Sequence, residues 1–179
     1  LFVFEVTELV EARNHLQEVV LEKTELSNTL RENEQRLQSI LDTMAEGVGI
    51  VDLTGKMIYA NAMAQQILGV NNDDLLQRTF NDRKWNTVSL DGTPLPDEEH
   101  PMALTMATGK PLHDQVVGIV QPDGETSFVS INAAPIFDSD GKVVGGIGTF
   151  MDVTSRIRLT KQKDEFVSTV SHGLQTPSS

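Results

Sequence analysis

Cysteine is absent from the 179-residue chain, which excludes disulfides, thiolate metal sites and any thiol adduct with a chromophore. Basic residues are scarce: 14 Lys+Arg against 26 Asp+Glu leave a formal net charge of −12. With nothing basic clustered to meet phosphates, this balance argues against a nucleic-acid face and equally against attraction to an anionic membrane. No apolar run nears the roughly 20 residues needed to cross a bilayer. No signal peptide is visible, and the chain begins at Leu1 rather than Met. It reads as part of a longer protein, cytoplasmic here, with any membrane anchor lying upstream. The length suffices for one compact domain plus extended helices. No carboxylate pair, metal-ligand spacing or nucleophile triad stands out. The acids around Asp97 and Asp123 read as solvated turns and caps.

Proline and glycine are missing between Glu8 and Met44, and a heptad pattern runs through that stretch. One seam is Leu9, Leu16, Lys23, Leu30 and Leu37; the other is Ala12, Val19, Leu26, Asn33 and Ile40. Two narrow seams sustained over about four heptads with charged flanks predict a coiled coil over 8–45 rather than a helix packed on a globular core. Lys23 and Asn33 are polar seam positions, which lower stability but fix register and favour a dimer. Before it, Leu1–Thr7 is rich in β-formers and reads as the end of a strand.

From Glu46 to Thr154 the period changes. Gly47–Asp52 and Met57–Asn61 flank the turn Leu53-Thr54-Gly55-Lys56 and predict a hairpin. Ala62–Leu68 is a short helix closed by Gly69, and Asn72–Leu76 a capped helical turn. Asp91–Pro96 is a turn-rich loop, after which Asp97 is expected to cap a helix reaching Thr108, with Gly109 ending it. Three longer strands follow, over 112–121, 126–137 and 142–153. Phe128, Ser130 and Asn132 alternate with Val129, Ile131 and Ala133, the pattern of a sheet with one buried face. The expected architecture is α+β: a five-stranded antiparallel sheet with short helices on one face, between a long N-terminal helix and a C-terminal helix.

Residues 46–154 resemble a PAS domain. The resemblance is carried by Gly47-Val48-Gly49-Ile50-Val51-Asp52, by Tyr59-Ala60-Asn61 with Ala62–Gly69 behind it, and by Pro94–Pro101. Further on it rests on Asp123-Gly124-Glu125, Ala133-Ala134-Pro135-Ile136 and the closing Gly148–Thr154. Phe4-Glu5-Val6-Thr7 echoes Met151-Asp152-Val153-Thr154, so residues 1–7 are read as the last strand of a preceding PAS-like domain. The helix around Glu22–Leu26 then resembles the signalling helices that couple tandem sensor modules.

In the last segment, 155–179, Phe166, Val167, Val170 and Leu174 share one helical face and His172 lies off it. Phe166–Pro177 resembles the phosphoacceptor box of sensor histidine kinases, whose usual form is F-x-x-x-V-S-H-E-L-R-T-P. The resemblance implies that His172 is the catalytic phosphoacceptor. Its neutral imidazole would attack the γ-phosphorus of ATP held on a separate kinase catalytic domain, before transfer to a response regulator. It also implies that Pro177 kinks the helix. Two positions depart from the pattern. Gly173 stands where an acid normally orients the ring, and Gln175 replaces an arginine. Glu165, two turns earlier and roughly 10 Å along the axis, is too distant to substitute. The chain has no P-loop or glycine-rich ATP lid, so it is not a kinase unaided.

His100 and His113 invite a haem reading, since some PAS domains hold haem through such a histidine. The Glu98-Glu99-His100-Pro101 context favours capping and packing instead. No cofactor is detectable in the sequence. Trp85, Phe80, Met102, Met106 and Leu104 read as core and loop packing, some of them lining a small apolar cavity where PAS ligands sit. Gly145, Gly146 and Gly148 permit close approach of a ligand or backbone, or a bulge, and read first as a twisted strand. The expectation is a dimeric sensory and signal-relay segment of a sensor histidine kinase, a parallel homodimer with no nucleic acid or membrane contact of its own. Two alternatives stay open: a non-enzymatic PAS interaction module with a degenerate histidine box, and a haem- or flavin-binding sensor.

Overall fold

The computed structural model describes residues 2–121 and 123–174. It divides into a helix, α1 (Phe2–Thr43), and a second unit from Met44 onward. At 1.5 Å per residue, α1 is about 63 Å long. It buries none of its residues, so the seam side chains Leu9, Leu16, Leu26, Leu30 and Leu37 stand exposed. The strand expected over Leu1–Thr7 is not formed, because the helix already runs from Phe2. An isolated strand leaves its backbone groups without partners, whereas a helix satisfies them within the segment. Glu5 in the first turn complements the helix dipole.

The second unit begins with the hairpin β1 (Gly47–Asp52) and β2 (Met57–Ala60). Next come α2 (Ala62–Leu68), α3 (Asn72–Leu75), β3 (Thr87–Val88) and α4 (Pro101–Thr108). The strands β4 (Leu112–Val120), β5 (Thr126–Phe137) and β6 (Val143–Asp152) lead into α5 (Thr154–Gly173). The sheet is antiparallel in the order β2-β1-β6-β5-β4-β3. It has six strands rather than five. The extra strand, β3, is two residues long and exists because Thr87 and Val88 pair with Ile119 and Gly118, a tertiary contact with no local periodicity behind it.

Caps set the helix limits. Asn61 sits at 2% exposure, and its Oδ1 accepts from the N–H of both Val48 and Ala64 at 2.9 Å. Its Nδ2 donates to the Glu46 carbonyl, so one amide joins the start of β1 to the start of α2. Gly69 closes α2 at φ 65°, as its position in the sequence suggests. The helix expected from Asp97 starts four residues later. Asp97–Glu99 form a 3₁₀ turn, Pro101 occupies the first turn of α4, and His100 is its N-cap. The helices cover one face of the sheet. There Ala64, Leu75, Trp85 and Met102 pack against Val51, Val117, Val129, Ala133 and Phe150.

Candidate functional site: an apolar cavity and the helix that leaves it

Between α4 and the inner sheet face lies a cavity of about 80 Å³. Inward-facing residues of the strands supply much of the wall: Gly49 and Val51, Val117 and Ile119, Val129 and Ile131, Gly148 and Phe150. Met102 and His100 come from α4 and its cap, with Phe80 and Trp85 from the loop before β3. Two glycines help make the space. A Cβ on Gly148 would lie 3.1 Å from the Met102 methyl, and one on Gly49 would lie 3.0 Å from Met57 Sδ. The glycines of β6 therefore serve close approach by neighbouring protein atoms, including the Val51 carbonyl beside Gly145. Of the side chains read as packing, Phe80, Trp85 and Met102 line the cavity and Met106 packs on the core, whereas Leu104 is exposed.

Polar groups on this wall are few. Trp85 spends its indole N–H on the Thr79 carbonyl at 2.8 Å. His100 Nδ1 accepts the Met102 N–H at 3.2 Å, so the neutral ring carries its proton on Nε2. The ring lies 5.0 Å from that of Phe80 and is 9% exposed. Burial lowers the His100 pKa to about 4, against a smaller upward pull from Asp97. Capping and packing are thus its role in the fold. His113 is exposed and lies outside the cavity wall. A haem or flavin ring system does not fit about 80 Å³ without opening the core.

A pH dependence follows. The unfolded His100 takes a proton near pH 6.5, while the folded one resists to about pH 4. Between those values the unfolded state binds more protons, so stability falls as pH falls. The loss reaches on the order of 3 kcal/mol by pH 4. Urea midpoints from pH 7 to 4 should drop more for the native chain than for His100→Asn, which can still accept the cap bond. Parallel curves would contradict this.

The last strand delivers the cavity wall to α5. Phe150 lines the cavity, and the chain enters the helix at Thr154. Asp152 Oδ1 accepts the Thr154 N–H at 2.8 Å and shapes the turn. The Val153 N–H donates to the Phe128 carbonyl at 2.8 Å, and the Phe128 N–H donates to Thr154 Oγ1 at 2.9 Å. Phe128 adjoins the cavity residue Val129, so β5 grips the first turn of α5 from a strand that also forms the wall. One turn on, Lys161 Nζ lies 5.1 Å from the Phe128 ring and donates to the Leu90 carbonyl. Arg158 pairs with Glu125 at the surface, where an ion pair adds little stability. Sequence reasoning missed this anchorage. Its one legible signal was the Asp152-Val153-Thr154 turn.

His172 stands in the last turn of α5, exposed. Among the described residues, no side chain hydrogen-bonds its imidazole. A Cβ on Gly173 would meet nothing within 4 Å. Leu159, Phe166, Val167, Val170 and Leu174 leave an apolar stripe uncovered along the helix. The expectations for Gln175 and Pro177 concern positions outside the described residues.

An antiparallel sheet that wraps an apolar cavity and hands its last strand to an exposed helix is the architecture of a small sensory domain. The family model described as PAS fold matches residues 41–158, and the chain belongs to that family. Sensor protein kinase WalK of Staphylococcus haemolyticus (strain JCSC1435) is 29% identical over 173 residues, covering 97% of this chain and 26% of that protein. Alginate biosynthesis sensor protein KinB of Pseudomonas aeruginosa is 28% identical over 155 residues, 87% of this chain and 24% of that one. The chain thus spans about a quarter of the length of these curated relatives. Among solved structures, an RNA-binding Light-Oxygen-Voltage receptor matches with a TM-score of 0.61 at 20% identity, over 80% of this chain and 39% of that one. That likeness concerns the fold alone. No described helix is long and apolar enough to cross a membrane.

Proposed function

We propose that this chain is the sensory and signal-transmission segment of a two-component sensor histidine kinase, relaying a change in the PAS domain to a phosphoacceptor, His172. The observation that carries the reading is the continuity from cavity to output helix. Phe150 lines the cavity, β6 runs directly into α5, and Phe128 holds the first turn of α5 against the sheet. The kinase relatives support it, because a match over 97% of this chain takes in position 172 wherever it ends.

The working unit in this reading is a parallel homodimer. The exposed seams of α1 and the exposed stripe of α5 are the faces a second copy covers. A shift in the helices changes how His172 meets ATP on a kinase catalytic domain, a bias between two arrangements of a helical bundle. There the imidazole nitrogen bonds to the γ-phosphorus as the bond to ADP breaks. A response regulator then takes the phosphoryl group.

Because the chain contains no cysteine, a single introduced one reports cleanly on the dimer. Leu37→Cys, on a seam, is expected to form a disulfide-linked dimer nearly completely under mild oxidation. Gln35→Cys, on the opposite face of α1, is expected to form little. Equal linking at both positions would contradict a parallel seam. Linked Leu37→Cys dimers that pass signals unchanged would count against relay through α1.

A further inference from the structure

We propose that the outer face of the sheet carries a second site, a polar basin that binds a small zwitterion with one ammonium and one carboxylate, the size of an aliphatic α-amino acid. The site lies on the face away from the inner cavity. It goes beyond the relay reading, and its binding does not depend on that reading.

The strands build the basin. Ile131 points into the inner cavity, so its neighbour Asn132 points to the outer face, where a space of about 220 Å³ opens. Met151 on β6 and the buried Val153 give it an apolar patch. Three charged side chains stand around it: Glu46 just before β1, Asp114 on β4 and Arg156 in the first turn of α5. The fold sets each of them. The Glu46 carbonyl accepts from Asn61 Nδ2 at 3.0 Å. Asp114 belongs to a bulge: Leu112 pairs with Ala133 and Gln115 with Ile131, so two residues of β4 face Asn132 alone. Asp114 takes φ 54°, and its N–H donates to Asn132 Oδ1 at 2.9 Å. Bulges of this kind re-aim side chains beside binding sites. Arg156 follows the turn that Phe128 anchors.

The charges converge without pairing. Among the described residues, no ion pair joins Arg156 to Glu46 or Asp114. A bare metal ion suits the basin poorly, because Arg156 repels it and no group of three acids or histidines is assembled among the described residues. An ammonium between the two carboxylates, with a carboxylate on the Arg156 guanidinium, answers all three charges. The wall is net negative, so the ammonium contributes more. A cavity of about 150 Å³ accommodates benzene, and this basin suits roughly eight or nine non-hydrogen atoms. Asp114 and Arg156 are exposed, which keeps the affinity low.

Methyl-labelled methionine makes the test direct, because Met151 lines the basin while Met57 and Met102 line the inner cavity. The whole chain is titrated at pH 7 with L-valine, with isobutylamine, which is valine without its carboxylate, and with isovalerate, which is valine without its ammonium. Valine is expected to shift the Met151 methyl resonance saturably, with half-saturation on the order of 1 mM, and to leave Met57 and Met102 still. Isobutylamine should bind about fivefold or more weakly, and isovalerate should not saturate. Arg156→Gln should weaken valine to the level of isobutylamine without weakening isobutylamine itself. Asp114→Asn retains a side chain that tolerates the left-handed backbone, and should weaken both amines about fivefold. Both substitutions fall on exposed side chains, so folding should be retained. The proposal is overturned if valine leaves Met151 unmoved, if isovalerate binds as well as valine, or if neither variant weakens valine. Because binding is read from a methyl shift and not from phosphoryl transfer, failure of this site is distinct from failure of the relay.

Discussion

Gly173→Glu is expected to raise the rate at which His172 accepts phosphate by about 100-fold. An imidazole attacks phosphorus through one nitrogen while the other keeps its proton. A carboxylate beside it fixes the ring and offsets the positive charge that develops, and such proton-handling groups contribute about 10²-fold or more. The residue after His172 is a glycine, and the nearest acid in the preceding helix is roughly 10 Å away along the axis. A side chain at 173 meets no obstruction, since the site around its Cβ is open. Stability should barely change. Replacing glycine in a helix gains somewhat under 1 kcal/mol, and an acid at the helix C-terminus costs a similar amount. A rate change at constant stability therefore isolates the chemistry. Rates of labelling from ATP, with a relative's catalytic domain supplied in trans, measure it. An unchanged or lower rate would show that orientation of the ring is not what limits this histidine.

Gly145→Ala is expected to destabilise the domain by about 3 kcal/mol, lowering its melting temperature by on the order of 10 °C. Gly145 pairs with Asp52 across β1 and β6, and an added Cβ would fall 2.4 Å from the Val51 carbonyl oxygen. That oxygen belongs to the backbone of the β1–β6 ladder and cannot rotate aside, so two strands must part. Its neighbour is the control. At Gly146 the new Cβ also meets an atom at 2.4 Å, but the atom is Met102 Sδ, which moves on rotatable bonds. Gly146→Ala should cost about 1 kcal/mol. Urea unfolding of the two variants distinguishes the cases, and equal losses would contradict the assignment of backbone contact at 145.

Legibility in the sequence followed how local each cause is. The α2 limits could be read residue by residue because Asn61 and Gly69 act within a turn of the helix they cap. In the second of the long strands the alternation over residues 128–133 marks the inner face, and Val129 and Ile131 do line the cavity. Leu1–Thr7 misled because Phe, Val and Thr suit strands, yet a strand needs a neighbour and a helix does not. Two-residue β3 depends entirely on β4 and carries no period of its own. The start of α4 moved from Asp97 to Pro101 because a histidine ring took a capping task usually given to shorter polar side chains. The grip of Phe128 on Val153 and Thr154 joins residues more than twenty positions apart, which no local pattern marks. At His172 the sequence carries nearly everything, since the exposed end of α5 adds only that the ring is reachable.

The central claim is that His172 receives phosphate under control of the domain before it. Its most direct test is to incubate the chain with γ-labelled ATP and a sensor-kinase catalytic domain in trans, then to map the acid-labile label. The account predicts label on His172, lost completely in His172→Ala while folding is retained. Unlabelled protein, or equal label in His172→Ala, would make α5 a dimerising stalk and contradict the relay.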